Sequence, residues 1–243
     1  MDSLFIHQAR IEWEQLSASG YLQNIEAFHG VECLSFQRPV TFFVGENGSG
    51  KSTLLEAMAI AYGFNPEGGT RNYSFSTRDS HSPLAEAIRL GKGHRRATHG
   101  YFLRAESFYN VATQEEVYAR SGLTPIPSRG YHEKSHGESF LALAQDYLRP
   151  EGVYFFDEPE AALSPQRQLT LLLEINRCVQ EGSQFFIVSH SPILLALPGA
   201  ELLTFDRGPV HACTYEETDS YQITKMFIQN REKILGELLE RKE

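Results

Sequence analysis

Long apolar runs are missing from this sequence. No stretch approaches the roughly 18 to 20 consecutive apolar residues that a membrane-spanning helix needs. The opening stretch, MDSLFIHQARIEWEQ, also lacks the positively charged start and the long apolar core of a secretory signal peptide. We therefore expect a soluble cytoplasmic protein without membrane insertion.

Cysteine is scarce as well. Cys33, Cys178 and Cys213 are scattered, odd in number and form no C-x-x-C pair. This pattern favours buried thiols in a reducing compartment over disulfides or a cysteine-rich zinc cluster.

Positive charge is in deficit, and repeats are not visible. The formal net charge of −9 argues against a chain-wide electrostatic attraction to DNA or to anionic lipid, although a local basic patch and a nucleic-acid partner stay open. Without heptads, the chain lacks the sequence of a long coiled-coil arm. Its 243 residues suffice for one large core, or for a core with a modest second lobe.

Strands and helices alternate along much of the chain. The apolar runs PVTFFVG (39–45), GVYFFDE (152–158) and QFFIVSH (184–190) predict strands. Residues 52–64 and 165–180 have the apolar spacing of helices. Such alternation is typical of an α/β fold with a mainly parallel sheet.

The middle of the chain is more polar and richer in turn residues. There LAEAIRL (84–90) predicts a short helix, GYFLRAES (100–107) a strand, and residues 107–120 and 138–148 further helices. We expect a single domain over residues 1–243, with an inserted helical lobe at approximately 64–150.

A phosphate-binding loop follows the predicted strand 39–45. GENGSGKST matches G-x-x-x-x-G-K-[ST] between a strand and a helix, so its backbone N–H groups can surround phosphate oxygens. Lys51 is expected to reach the β- and γ-phosphates, and the Ser52 hydroxyl to bind Mg²⁺. The predicted ATP contacts are Gly45, Glu46, Asn47, Gly48, Ser49, Gly50, Lys51, Ser52 and Thr53.

Two carboxylates end the predicted strand in VYFFDEPEAALSP (153–165). A buried strand that runs into adjacent acids suggests a cation or a reaction. Asp157 is expected to hold Mg²⁺ with Ser52, mostly through water. Glu158 is expected to act as general base on the attacking water.

A histidine ends the next predicted strand, in QFFIVSHSP. At this position His190 can contact the γ-phosphate and the attacking water. A second SHSP, Ser80–Pro83, has no strand before it, and we assign it no role.

The stretch YHEKSHGESF (131–140) has two interpretations. As His-Glu-x-x-His, it would make His132 and His136 zinc ligands and Glu133 the base of a metalloprotease. The preceding PIPSRG and the following Gly137 are poor material for the helix that this site requires.

The alternative is an anion-binding loop that opens a helix. Ser135 would supply a hydroxyl, and Gly137 a closely approaching N–H, at the helix N-terminus. Because the phosphate loop already surrounds one side of the chain's own ATP, this second loop would serve the ATP of a partner molecule.

Four motifs together carry a family resemblance: the phosphate loop, SHGES, FFDEPEAALSP and IVSHSP, in that order within residues 41–192. They resemble the Walker A, signature, Walker B with D-loop, and switch-histidine motifs of ABC-type ATPases. The Ser-x-Gly-Glu signature, DEPE and SHSP are similar to the SMC/RecF-like branch and to small bacterial stand-alone AAA-family ATPases.

The resemblance implies a P-loop NTPase fold, with an ABC-ATPase-like, mostly parallel sheet, an antiparallel β region and an inserted helical lobe. It also implies a Mg²⁺-dependent ATPase that forms a head-to-tail homodimer on binding ATP. In that dimer Ser135, Gly137 and Glu138 would contact the ATP of the other subunit.

Two features depart from the family pattern. The signature lacks the leucine and the final glutamine of the transporter form Leu-Ser-Gly-Gly-Gln. The glutamine expected after the strand that enters the lobe is also absent, and Glu106 is the candidate for its position.

We expect an ATP-gated homodimer that acts on another protein in trans, in DNA maintenance or phage defence. The main alternative is the ATP-binding subunit of an ABC transporter. The zinc metalloprotease is a more remote alternative.

Overall fold

The structure is a computed structural model that describes residues 4–16, 20–71, 82–104, 141–142 and 145–239. In chain order its strands are β1 (Ile6–Ile11), β2 (Cys33–Ser35), β3 (Val40–Val44), β4 (Ile88–Lys92), β5 (His99–Arg104), β6 (Gly152–Asp157), β7 (Gln184–Val188), β8 (Glu201–Thr204) and β9 (His211–Cys213). Its named helices are α1 (Lys51–Tyr62), α2 (Leu84–Ala87), α3 (Pro165–Gln180), α4 (Pro192–Leu195), α5 (Asp219–Gln229) and α6 (Arg231–Leu239).

These strands form two sheets. The larger sheet has the order β5-β6-β7-β3-β8-β9, in which β5 to β8 are parallel and β9 is antiparallel to β8. The smaller sheet has the order β2-β1-β4 and is antiparallel. The prediction of an α/β fold with a mostly parallel sheet and an antiparallel region is therefore confirmed.

The core of the large sheet lies on both of its faces, as a strand covered on each side requires. All five residues of β3 and all five of β7 are buried. Successive side chains alternate between two apolar clusters: Phe43 and Phe186 pack with α1 and the small sheet, while Phe42 and Ile187 pack with α3. Helix α1 is thus held between the two sheets.

The two sheets are joined by one buried side chain. The Oε1 atom of Gln184, at the start of β7, accepts hydrogen bonds from the backbone amides of Phe5 and Ile6, both at 2.9 Å. Its Nε2 donates to the carbonyl oxygen of Ile6 at 2.8 Å. A single amide thereby satisfies three backbone groups inside the core, which explains why a polar side chain that is 1% exposed is tolerated there.

The helix predicted at LAEAIRL (84–90) is confirmed for its first four residues and wrong for its last three. Only Leu84–Ala87 is helical, and the chain then enters β4, which pairs with β1. Ile88 is 1% exposed and packs in the core against β1, so tertiary pairing outweighs the local apolar spacing.

Two strands lie within the range predicted for the inserted lobe. Over 88–92 and 99–104 the chain belongs to the small and the large sheet respectively. Of the described residues of the helix predicted at 138–148, residues 141–142 and 145–147 are helical and Leu148 is not. The helix predicted at 107–120 lies outside the described residues, and the lobe boundary stays a prediction.

The C-terminal helices α5 and α6 differ from helices α1 to α4 because neither contains a buried residue. Among the helices that the structure describes, none has both the length and the apolar character needed to cross a bilayer.

Candidate functional site

Four parallel strands end at one edge of the large sheet. The phosphate loop follows β3, Asp157 ends β6, Ser189 follows β7, and Asp206 lies two residues after β8. Parallel α/β sheets bind their ligands outside this carboxyl edge. The predicted site residues of the phosphate loop, the acidic strand end and the switch histidine are therefore brought together.

The phosphate loop depends on glycine at two close approaches. Gly45 has a φ of +138°, and a Cβ atom there would lie 2.8 Å from Oδ1 of Asp206. Gly50 has a φ of +102°, and a Cβ atom there would lie 2.9 Å from Cγ2 of Ile25. Both contacts are shorter than real Cβ atoms make, and both φ values favour glycine. Residues 46–48, between them, are exposed and accessible to a ligand.

Lys51 begins α1 and lies folded under the loop. It is 4% exposed, and its Nζ donates to the carbonyl oxygen of Glu46 at 2.6 Å and to Oγ of Ser49 at 3.4 Å. Burial lowers the pKa of Lys51, while the nearby charges of Asp206, Glu158 and Asp157 oppose that change. The amine is therefore a buried cation partly balanced by acids, and additional negative charge beside it would be stabilising.

Ser52 and Asp157 form the second contact of the site. The Ser52 hydroxyl donates to Oδ1 of Asp157 at 2.8 Å. Mg²⁺ prefers oxygen ligands and usually keeps several bound waters. A hydroxyl that binds the ion and a carboxylate that holds it mostly through water, as predicted for Ser52 and Asp157, fit that chemistry.

Glu158 has an unusual backbone conformation. Its φ of +49° and ψ of +53° are left-handed, and its amide donates to the carbonyl oxygen of Val188 in β7 at 3.0 Å. This conformation costs a non-glycine residue on the order of 1–3 kcal/mol and is concentrated at functional sites. Its side chain is 43% exposed, so solvent can reach the carboxylate.

His190 lies beside Glu158. The Nε2 atom of His190 is 3.7 Å from Oε1 of Glu158. Within the described part of the chain, this buried nitrogen has no hydrogen-bond partner. Burial first, and then the charge of Lys51, lower the pKa of His190, against the opposing effect of Glu158. Near neutral pH the imidazole is therefore neutral and can donate or accept a hydrogen bond, depending on its tautomer.

Asp206 is a site residue that the sequence reasoning missed. Its Oδ1 accepts a hydrogen bond from the backbone amide of Glu46 at 2.8 Å, and its charge acts on both Lys51 and His190. The available signal was its place at the end of another apolar run, ELLTFD, as for Asp157. The sequence predicts a strand pair around ELLTFD and PVHACTY, and we assigned no role to the acid that ends the first run.

The other predicted site residues lie outside the described residues. They are the signature residues Ser135, Gly137 and Glu138, the Gln-loop candidate Glu106, and the zinc-site candidates His132, Glu133 and His136.

Two family models match the chain. Residues 21–121 match a model described as "AAA domain", and residues 120–196 match one described as "AAA domain, putative AbiEii toxin, Type IV TA system". A thiamine import ATP-binding protein, ThiQ of Histophilus somni, is 32% identical over 165 residues, which cover 60% of this chain and 74% of that protein. The chain belongs to the ABC-type ATPase family.

Further similarities extend over most of the chain. The hemin import ATP-binding protein HmuV of Rhodopseudomonas palustris is 25% identical over 210 residues, covering 76% of this chain and 77% of that protein. The SMC head domain from Thermotoga maritima is 14% identical with a TM-score of 0.46, covering 87% of this chain and 99% of that one. The family predicted from the motifs and the class of enzyme, an ATP hydrolase, are confirmed by the family models and the sequence relatives.

Proposed function

We propose that this ABC-type ATPase hydrolyses Mg²⁺·ATP at the carboxyl edge of its large sheet. The observation that carries the proposal is the convergence of three predicted motifs: Ser52 contacts Asp157, and Glu158 lies beside His190, around the buried amine of Lys51. The phosphate loop (45–53) would bind the ATP phosphates, and Lys51 would release its contact with Glu46 to reach the β- and γ-phosphates.

Ser52 and Asp157 would hold the magnesium ion, which supplies positive charge to the β- and γ-phosphates when bound. Glu158 would take the proton of a water molecule as that water forms a bond to the γ-phosphorus. The bond from the γ-phosphorus to the bridging oxygen breaks, and the products are ADP and phosphate. His190, neutral near pH 7, would hydrogen-bond the γ-phosphate and orient the same water.

The proposed assembly is a head-to-tail homodimer with two ATP molecules between the subunits. Ser135, Gly137 and Glu138 of one subunit would contact the γ-phosphate bound by the other, as the resemblance of SHGES to a signature motif implies. Hydrolysis would open the dimer, and the inserted lobe, approximately residues 64–150, would transmit that motion to another protein. The SMC/RecF-like character of SHGES, DEPE and SHSP favours a stand-alone ATPase in DNA maintenance or phage defence.

Replacing the phosphate-loop lysine tests the site directly. Lys51→Ala removes the cation next to the transferred phosphoryl group, and loss of one such group costs on the order of 10²- to 10³-fold in kcat. We expect ATP hydrolysis, followed as phosphate release with Mg²⁺ present, to fall at least that far. Lys225→Ala, on exposed helix α5, is the matched control and should keep the wild-type rate. Normal hydrolysis by Lys51→Ala would refute the site.

A second candidate function is the ATP-binding subunit of an importer. The names of the relatives favour it, since both ThiQ and HmuV are import ATP-binding proteins. The two candidates differ in where the ATP-bound protein is found. Glu158→Gln, which removes the proposed base, would be used as bait in native cells at saturating ATP.

Sedimentation of that variant with membranes, together with a stoichiometric integral membrane protein, would favour the importer subunit. Recovery from the soluble fraction with nucleic acid or with a soluble protein would favour the stand-alone ATPase. Lys51→Ala, carried through the same purification, controls for association that does not depend on ATP.

A further inference from the structure

A buried carboxylate behind the proposed site has no role in the mechanism so far. Glu160 lies in the 3-10 turn Pro159–Ala162, which begins immediately after Glu158. Its Oε1 accepts a hydrogen bond from the backbone amide of His190. The segment that carries the proposed base therefore binds, through this side chain, the backbone of the proposed phosphate-sensing histidine.

A second side chain makes a parallel connection. Oγ of Ser191 donates to Oε1 of Gln168 at 2.6 Å, and Nε2 of Gln168 donates to the carbonyl oxygen of Leu163 at 3.0 Å. Ser191 is also the N-cap of α4, where its Oγ accepts from the amides of Ile193 and Leu194. The consecutive residues His190 and Ser191 are thus held by two side chains, Glu160 from the turn after β6 and Gln168 from α3.

This arrangement fixes the distance between the two proposed catalytic side chains. His190 and Glu158 follow different strands, and their side chains approach only to 3.7 Å, which is too long for a direct hydrogen bond. Their separation is instead set by backbone contacts: the Glu158 amide to Val188, and the His190 amide to Glu160. Without the second contact, His190 could turn away from the γ-phosphate position while the strands stayed paired.

We propose that Glu160 is a positioning residue, which holds the His190 backbone so that the imidazole stays beside Glu158 and the transferred phosphate. The inference rests on the proposed function of Glu158 and His190. What the position requires is a hydrogen-bond acceptor of the length of glutamate. Its charge is not required, because the partner is a neutral amide; the prediction is therefore that glutamine can replace it.

Two substitutions distinguish the role of the hydrogen-bond acceptor of Glu160 from the role of its negative charge. Glu160→Gln keeps the acceptor oxygen, while Glu160→Ala removes it. We expect Glu160→Ala to lower kcat by about 10- to 100-fold, as small displacements of catalytic groups do. Its KM for ATP should change by less than about twofold, because the phosphate loop is untouched. Glu160→Gln should retain kcat within about threefold of wild type, since it preserves the hydrogen bond.

A control substitution and a check of folding accompany these two variants. Glu216→Ala removes an exposed glutamate close to α5 and should leave both constants unchanged. Circular dichroism melting defines a temperature at which every variant is folded, and all rates are measured there. If Glu160→Ala does not fold, Gln168→Ala, which loosens the neighbouring Ser191, should give the same split of reduced kcat and unchanged KM.

The outcomes distinguish this inference from the function it rests on. Hydrolysis by Glu158→Gln at the wild-type rate would refute the proposed site itself. With wild type active and Glu158→Gln inactive, the wild-type kcat in Glu160→Ala would overturn the positioning role alone. A Glu160→Gln variant as slow as Glu160→Ala would overturn it as well, because the charge would then be what matters.

Discussion

The carboxyl edge of the large sheet and the C-terminal helices differ in how far their apolar side chains are buried. At the edge, β3 and β7 are fully buried, β6 is buried up to Asp157, and polar side chains there bind one another or the backbone. In α5 and α6, by contrast, large apolar side chains are exposed, among them Ile228 at 72% and Leu239 at 73%. The positions of the site residues are therefore set within the chain itself, whereas the C-terminal helices contribute little to the stability of a single chain.

The largest expected difference comes from replacing isoleucine by alanine at one buried position and at one exposed position. Ile187 in β7 is 0% exposed and Ile228 in α5 is 72% exposed. Ile187→Ala leaves a cavity in the core and should lower the free energy of unfolding by about 2 to 5 kcal/mol. Ile228→Ala should change it by less than about 0.5 kcal/mol. Urea denaturation followed by circular dichroism measures both values.

A decrease of more than about 2 kcal/mol in the free energy of unfolding for Ile228→Ala would contradict this difference between the two regions. It would show that the C-terminal helices are packed in the isolated protein in solution and form part of its cooperative unit. Similar small costs for both variants would contradict the burial of β7.

A mostly buried ion pair and an exposed ion pair that reaches α5 should differ as well, by a smaller amount. Arg104 at the end of β5 binds Glu56 of α1 at 2.6 Å, with side chains 22% and 12% exposed. Arg207 and Asp219 are 3.2 Å apart, with side chains 79% and 42% exposed. We expect Glu56→Ala to cost about 1 to 3 kcal/mol, since it leaves a half-buried arginine without its main partner. Asp219→Ala should cost at most about 0.5 kcal/mol.

The same urea denaturation gives both numbers. Repeating it in about 1 M salt sharpens the comparison, since salt screens an exposed pair more than a partly buried one. Equal costs for the two substitutions would show that burial does not separate these pairs.

The smallest predicted effect concerns pH. Burial raises the pKa of Glu160, against the hydrogen bond from the His190 amide, and the charge of Glu158 adds to the increase. A carboxyl whose pKa is higher in the folded state stabilises the fold below its unfolded pKa, about 4.3. That stability is lost as pH rises through the folded pKa. At neutral pH the ionised, buried carboxylate of Glu160 therefore lowers the free energy of unfolding. A neutral glutamine at this position does not.

We expect Glu160→Gln to melt about 2 °C above wild type near pH 7 and at the same temperature as wild type near pH 4. Scanning calorimetry at the two pH values checks this. A difference that stays constant with pH would show that Glu160 does not titrate in this window.

The site residues were predictable from the sequence where one motif contains both the residues that its backbone conformation needs and the residues that the chemistry needs. The glycines of GENGSGKST, the acids of FFDEPE and the histidine of IVSHSP each follow an apolar strand. Because β3, β6 and β7 are parallel neighbours, the ends of those strands meet.

Contacts between distant segments were not predictable in this way. Gln184 joins the two sheets, Asp206 reaches the phosphate loop, and Arg104 pairs with Glu56. Each is a single polar residue whose partner is 48 to 179 positions away, and its role depends on which strands become neighbours. For the same reason residues 88–90 were predicted as part of a helix, since only the pairing of β4 with β1 makes them extended.

The central claim is an ATPase whose base is Glu158 and whose two subunits share their ATP sites. The most direct measurement is size-exclusion chromatography with light scattering of Glu158→Gln in Mg²⁺·ATP. Loss of a general base slows hydrolysis by roughly 10²- to 10⁴-fold, so ATP should remain bound and the protein should elute as a dimer. Adding Ser135→Arg should give a monomer that still binds ATP, because the long side chain would occupy the partner's γ-phosphate position. A Glu158→Gln protein that stays monomeric with ATP bound, or a double variant that still dimerises, would contradict the account.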